Sequence, residues 1–372
     1  MPGFEASEFR ARTERAQALM AKHDLAALWL TTETEVRYFT GYLTRFWESP
    51  TRPWHLIVPA KGAPIAVIPS IGAALMGKTW ISDIRTWSSP DLRDDGISLL
   101  IDALQEQGGR IGIPSGHETH VRMPLEDLRR VESAVPTTGD QGILRQLRMV
   151  KSAPEIARIE TACQIAGRAF QRVPEIAAEG TPLEAVFRGF QQLCLEEGAD
   201  WVPYLAGGAG RSGYDDVISP ASAVPLAAGD ILMLDTGLVH DGYFCDFDRN
   251  WSVGTPSDAA RRGYDKLMDA TDAGMAVARA GATAAQVFAA MDAVVGGGDA
   301  GRLGHGLGMS LTEWPSLIAG DHTVLEPGMV LTLEPGIETE DGRIIVHEEN
   351  IVITDGAPRM ISPPAPRELP VL

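Results

Sequence analysis

The residues most able to do chemistry lie in segments that otherwise read as core. The stretch LMLDTGLVHDGYFCDFDRNWSVG, residues 232–254, is apolar enough to be strand, yet it carries Asp235, Asp241, Asp246 and Asp248. Downstream, His305 is wedged between Gly304 and Gly306, where glycines let the backbone approach a neighbour closely. Glu334 ends the apolar run of MVLTLEPGIE, and His347, Glu348 and Glu349 sit inside GRIIVHEENIVIT. Two Asp, one His and two Glu on strands of one domain make a ligand set. An oxygen-rich site with one imidazole suits Mn, Fe, Co or Zn, usually as a pair bridged by carboxylates.

Hairpin geometry sharpens this reading. Asp-Gly is a strong two-residue turn signal. A loop at Asp241-Gly242 sets Asp235 opposite Asp248, and side-chain alternation brings Asp246 to the same face. Three carboxylates then converge, repel one another and raise each other's pKa values unless a cation compensates. A solvated acidic hairpin face is the competing reading for any one Asp. His305 read alone fits a hydrogen-bonded core histidine, and Glu334 read alone fits a strand-end carboxylate facing water. The apolar neighbours Leu232, Leu234, Tyr243 and Phe244 favour a buried hairpin.

The order of these motifs resembles the M24 metallopeptidase superfamily, which includes methionine aminopeptidase, aminopeptidase P, prolidase and creatinase. An Asp is followed by a second Asp eleven residues later, then Gly-His-Gly, Glu-Pro-Gly and a Glu before an IVIT strand. VRYFTGY resembles the creatinase-type N-terminal domain, and MVKSAPEIARI resembles the start of the catalytic domain. The resemblance implies an α+β protein: a pita-bread catalytic domain over 148–372, preceded by a smaller α/β creatinase-like domain over 1–147. It implies metal ligands Asp235, Asp246, His305, Glu334 and Glu348, with Glu334 and His305 catalytic and Glu334 the proton shuttle. It implies two divalent ions (Mn, Co, Fe or Zn) and a homodimer. The activity implied is that of an Xaa-Pro dipeptidase or aminopeptidase, cleaving an amide bond in a short peptide by a metal-bridged water. Glu348 is the motif's choice; a tight turn at Asp341-Gly342 would instead bring Glu349 to the side of Glu334, so a longer turn or a bulge is expected.

Departures from the family pattern leave a second reading open. Peptidase members carry a His seven residues after the metal His, and another upstream of the first Asp. Here those positions are Thr312 and about Ile218, with no His nearby. Thr312 donates one hydrogen bond but is no cationic acid. Asp215 or Asp216 could take part of the upstream role. An M24-fold hydrolase or lyase acting on a small non-peptide solute, similar to ectoine hydrolase or dimethylsulfoniopropionate lyase, is therefore the alternative. Asp248 stands where the family more often has Thr, as an outer support or an extra ligand. Arg249, Glu313 and Trp314 are candidates for the pocket wall and its support. Trp47, in YLTRFWESPTRPW with Phe46 and Trp54, is either a packing or dimer residue or a wall of the pocket.

The elements that must position these groups are readable from periodicity. Residues 7–23 predict an amphipathic helix, LAALWLTT a buried strand, HLIVPAKGAPIAVIP two strands, SLLIDALQEQG a helix and RIGIP a strand, an α/β layer up to about residue 145. Ser152 with Glu155 predicts a capping box opening a long helix, with Pro154 in its first turn. Further helix is expected over 182–197 and over 257–296, broken near Gly281. GAGRSG at 208–213 fits a dinucleotide fingerprint by letter only, since prolines rather than a helix follow it.

Composition bounds the partners. The chain has 372 residues, enough for two domains, with a net charge of −18 that argues against nucleic acid or an anionic membrane surface. Three cysteines without C-x-x-C spacing suit free thiols in a reducing compartment, and no signal core precedes the first helix, so a cytoplasmic protein is expected.

Overall fold

The computed structural model describes residues 3–49, 53–296, 301–339 and 342–372. It divides into two compact units between Arg148 and Met149.

In the first unit, the helix Ala6–His23 turns Phe9, Ala16 and Met20 inward and ends at Asp24, whose φ of 53° is left-handed. The strands are β1 (Ala27–Leu30), β2 (His55–Pro59), β3 (Ile65–Pro69), β4 (Asp83–Trp87), β5 (Ile111–Ile113) and β6 (Thr137–Gly139). They form one mixed sheet in the order β4-β3-β2-β1-β5-β6. Residues of β1, β2 and β3 are buried along their whole length, which is why they read as continuous apolar runs. Trp29, Ile57, Val67, Leu100, Leu104, Ile111 and Val131 make up much of the core on one face. The aromatic stretch around Trp47 is spent here. Trp54 is 1% exposed and Trp47 8%, their rings are 5.8 Å apart, and the Arg122 guanidinium covers Trp47 at 5.4 Å. Part of that stretch, residues 50–52, lies outside the described residues.

The second unit opens with the helix Ala153–Gln171. Its start is fixed by the expected capping box of Ser152 and Glu155, with Pro in the first turn. The helix Leu183–Glu196 follows, and Asp258–Val277 and Ala284–Val295 flank the break at Gly281. The strands are β7 (Trp201–Arg211), β8 (Asp230–His240), β9 (Tyr243–Phe244), β10 (Phe247–Ser252), β11 (His305–Gly306), β12 (Glu313–Ser316), β13 (Val330–Leu333), β14 (Gly336–Glu338), β15 (Ile344–Val346), β16 (Glu349–Val352) and β17 (Arg359–Met360). β10-β8-β7 form one sheet, with β9 also on β8, and β12-β11-β13-β16-β17 form another.

The β8–β9 turn is the two-residue loop that the Asp-Gly pair predicts, with φ of 49° at Asp241 and 81° at Gly242. Two successive positive φ values are what a type I′ hairpin needs. Asp241 is thereby a turn residue, ion-paired to Arg158 and outside the acidic cluster. The register that follows is the expected one: Asp248 faces Asp235 across β10 and β8.

The second register question also resolves. The turn at Asp341-Gly342 lies partly outside the described residues, but the pairs around it fix the alignment. Glu338 faces Ile344, and Leu333 faces Glu349. The amide of His347 donates to the Pro335 carbonyl at 3.0 Å. Continued by one step, this register sets Glu334 opposite Glu348. Glu349 faces Leu333 instead and points to the opposite side.

Candidate metal centre

Two backbone devices aim the candidate ligands. Asp246 falls between β9 and β10, where its amide donates to Asn350 Oδ1 at 3.0 Å and its carbonyl accepts from Asn350 Nδ2. Asn350, fully buried on β16, thus ties the acidic hairpin to the second sheet at the residue beside which both Asp246 and Glu348 sit. His305 is held by its neighbours. A Cβ at Gly304 would lie 2.2 Å from the Thr332 carbonyl oxygen, and one at Gly306 would lie 2.4 Å from that of Trp314, so only glycines admit this close packing. The His305 amide donates to Thr332 Oγ1 at 3.1 Å, and ring Nδ1 lies 2.9 Å from the Gly306 carbonyl oxygen. A carbonyl can only accept, so Nδ1 carries the proton and Nε2 presents a lone pair.

That lone pair faces acid. His305 Nε2 lies 3.4 Å from Asp246 Oδ2 and 4.0 Å from Glu334 Oε2. Among the described residues, ligand atoms of Asp246, His305 and Glu348 all lie within 4.8 Å of one another. Asp235 and Glu334 lie outside that group of three; Asp235, on the facing strand, feels the charges of Asp246, Asp248 and Glu334.

The carboxylates are under strong electrostatic load. Burial first, then Asp246, Asp248 and Glu334, push Asp235 well above the usual carboxylate range, and the Tyr204 side chain only partly opposes this. Burial raises Asp246 and Glu348 well above that range too. Glu334 is raised by burial, partly offset by His305. Asp235 Oδ1, Asp246 Oδ1, Asp248 Oδ2, Glu334 Oε2 and Glu348 Oε1 are all shielded from solvent without a hydrogen-bond partner. Buried acceptors left in this way are costly unless a cation takes them up. Oxygen donors with one imidazole are the donor set for a transition-metal or zinc ion, so the residues present fit a divalent centre.

Residues 157–355 match metallopeptidase family M24, and residues 12–150 match the Creatinase/Prolidase N-terminal domain. The chain belongs to metallopeptidase family M24. It is a metal-dependent hydrolase with a creatinase-type N-terminal domain and a pita-bread catalytic domain. A probable dipeptidase PepE of Mycobacterium tuberculosis is 31% identical over 366 residues, covering 95% of this chain and 94% of the relative. An Xaa-Pro dipeptidase of Pyrococcus furiosus is 30% identical over 234 residues, 59% of this chain and 64% of that one. The crystal structure of dipeptidase PepE from Mycobacterium ulcerans superposes with a TM-score of 0.85 at 29% identity, covering 99% of both chains.

The remaining candidate residues of this M24 hydrolase divide by what they touch. Thr312 Oγ1 accepts from Arg302 at 3.3 Å. Glu313 is buried, and its carboxylate lies 3.0 Å from the Lys151 ammonium. The Trp314 indole donates to Thr323 Oγ1 at 3.0 Å. Arg249 lies behind the candidate ligands, donating to the Glu348 carbonyl at 3.2 Å and to Glu349 Oε2 at 2.9 Å. Trp47 packs inside the first unit. Asp215 pairs with Arg343, and Asp216 caps its own turn by accepting from the Ile218 amide at 2.9 Å.

Sequence reasoning missed four residues here: Arg302, Asn350, Tyr204 and Lys151. Arg302 is the most consequential, because its positive charge acts on both Asp246 and Glu334. Its signal was its place three residues before His305, in the same Gly-rich run.

Proposed function

We propose that this M24 hydrolase cleaves the amide bond of short peptides, dipeptides with proline after the cut foremost, at two divalent ions held by Asp235, Asp246, His305, Glu334 and Glu348. The observation that carries this is the set of unpartnered buried carboxylate oxygens converging on His305 Nε2. So many acidic donors exceed what one imidazole and one ion would neutralise, which supports a pair. The dipeptidase names borne by relatives over nearly the full chain support the peptide substrate.

Bound divalent ions would supply a water acidic enough to attack near neutral pH and a pull on the scissile carbonyl. The chain's own residues do the rest. Glu334 has 36% of its side chain exposed, whereas Asp246 and His305 are nearly closed off. It therefore lies at the mouth of the site, where a carboxylate raised by burial can take a proton from the attacking water and pass it to the departing nitrogen. Arg302, held against Thr312, brings a fixed cation where the family resemblance leads one to expect a histidine. That cation suits the carboxylate of a dipeptide. It suits an anionic non-peptide solute as well, so the Arg302–Thr312 pair is also the observation that favours the alternative reading.

One experiment separates the two. Protein loaded with Mn or Co is expected to carry close to two ions per chain by elemental analysis and to hydrolyse Xaa-Pro dipeptides. Activity confined to small cyclic amides or betaines would favour the solute reading. Full activity after metal stripping would sink both.

The proposal extends to a cytoplasmic homodimer. The three cysteines are unpaired and buried, which suits a reducing compartment. Among the described residues no helix is long and apolar enough to cross a membrane. Ile71, Leu92 and Leu125 are left exposed on the first unit, where association would cover apolar surface. Light scattering at micromolar concentration is expected to give at least twice the 40.0 kDa chain mass; a fully active monomer would count against it.

A further inference from the structure

Asp248 is the acidic residue that the five-ligand pattern leaves over. It is 1% exposed and faces Asp235 across the β8–β10 ladder, so the two side chains share one face of the hairpin. Its two oxygens have different surroundings. Oδ1 accepts from the Glu348 amide at 2.9 Å and lies 3.3 Å from His347 Nδ1. Oδ2 has no hydrogen-bond partner and no contact with solvent. Anchoring the Glu348 backbone uses Oδ1 alone, so a purely structural role leaves Oδ2 unexplained.

The surroundings of Oδ1 tie Asp248 to a row of polar side chains behind the site. His347 lies between two carboxylates, with Nδ1 3.3 Å from Asp248 and Nε2 3.5 Å from Glu349 Oε1. Glu349 is in turn paired with Arg249 at 2.9 Å. Arg249, Glu349, His347 and Asp248 thus form a row of buried ionisable groups that ends at the metal centre. Outer groups of this kind orient a ligand and strengthen it as a donor.

We propose, on the reading of a dinuclear centre above, that Asp248 is a further ligand of that centre, giving Oδ2 to the ion nearest Asp235 while Glu348 N and His347 hold Oδ1. The hairpin then offers that ion acidic donors from two facing strands, and Asp248 helps to position Glu348 as well as to bind metal.

Asp248→Asn discriminates the roles, because its amide oxygen can still accept from Glu348 N while the NH₂ in place of Oδ2 cannot ligate. Wild-type and variant proteins would be titrated with Co(II), with affinity read by calorimetry and coordination by the visible absorption of cobalt. The variant is expected to bind the second ion at least about tenfold more weakly, with a changed absorption intensity as the coordination number falls. Without metal it is expected to stay folded, because His347 keeps Glu349 Oε1 at 3.5 Å as a carboxylate partner. Asp248→Thr carries the same expectation should the Asn variant fold poorly. A wild type that loads two ions, beside variants that load them with equal affinity and an unchanged spectrum, would overturn this proposal alone. A wild type that takes up no cobalt would overturn the metal centre and this proposal with it.

Discussion

Asp246→Asn is expected to abolish hydrolysis and to empty the centre while leaving the chain folded. Asp246 Oδ2 is 3.4 Å from His305 Nε2, and its Oδ1 is buried without a partner. The substitution keeps the shape and removes the charge. The backbone should not move, because Asn350 holds both the amide and the carbonyl of residue 246. Even outer partners of a metal site are worth about 10–100-fold in affinity, so a ligand should cost more than about 100-fold. The same change should have the opposite effect on the metal-free protein. Asp246 raises Asp235 and Glu348 through repulsion, so neutralising it relieves a conflict among buried carboxylates. In excess chelator the variant should melt at or above the wild-type temperature; with metal the order should reverse, because binding stabilises only the protein that binds. A variant that hydrolyses Xaa-Pro dipeptides at the wild-type rate would remove Asp246 from the site. A variant that melts far lower in chelator would show that the carboxylate is structural.

The contrast between Asp246 and Arg302 shows what could be read from the chain alone. Asp246 was legible because a strand has a period of two and an Asp-Gly turn fixes register, so a two-residue pair decided which face it takes. The capping box of Ser152 and Glu155 was legible for a similar local reason. Glu348 was harder. Choosing it over Glu349 depended on the residue count of a turn several positions away, and a one-residue slip flips every side chain. The pair Glu338–Ile344 supplies the missing count. Asn350 acts across sheets, Tyr204 across the β7–β8 ladder and Arg302 from the segment before β11, through contacts that no local period encodes. Asn350 in particular reads in sequence as a polar break inside an apolar strand, and only the packing of Asp246 against β16 explains it. Glu313 had a signal but no legible partner: next to Thr312 it suggested a pocket wall or its support, and its carboxylate is engaged by a lysine at the start of the unit.

That lysine gives the second large effect. Lys151→Met is expected to destabilise the second unit by about 3–5 kcal/mol, the usual cost of leaving one half of a buried ion pair uncompensated. The Lys151 and Glu313 side chains are 2% and 6% exposed and lie 3.0 Å apart. Lys151 also donates to the Met149 carbonyl at 3.3 Å, and Glu313 Oε1 accepts from the Ser310 amide at 3.0 Å. The pair packs directly on Gly308, where a Cβ would meet Lys151 Cε at 2.9 Å and Glu313 Oε2 at 3.0 Å. It therefore clamps the segment 308–313, which leads from His305 toward Thr312, against the residues that lead into the helix Ala153–Gln171. With Met at 151, Glu313 is left buried and charged, and it must take up a proton or drag the segment toward water. Either outcome should loosen Thr312 and lower kcat. The double change Lys151→Met with Glu313→Leu removes both charges, and replacing a buried pair by apolar side chains is often close to neutral. It should recover most of the lost stability while still lacking the acceptor for Ser310 N, so recovery of activity should be smaller. Urea unfolding, followed through the transition in which activity is lost, measures both variants. A Lys151→Met protein within about 1 kcal/mol of wild type would place this pair with exposed ion pairs that contribute little. A double variant no more stable than the single one would show that Glu313 is not the group Lys151 compensates.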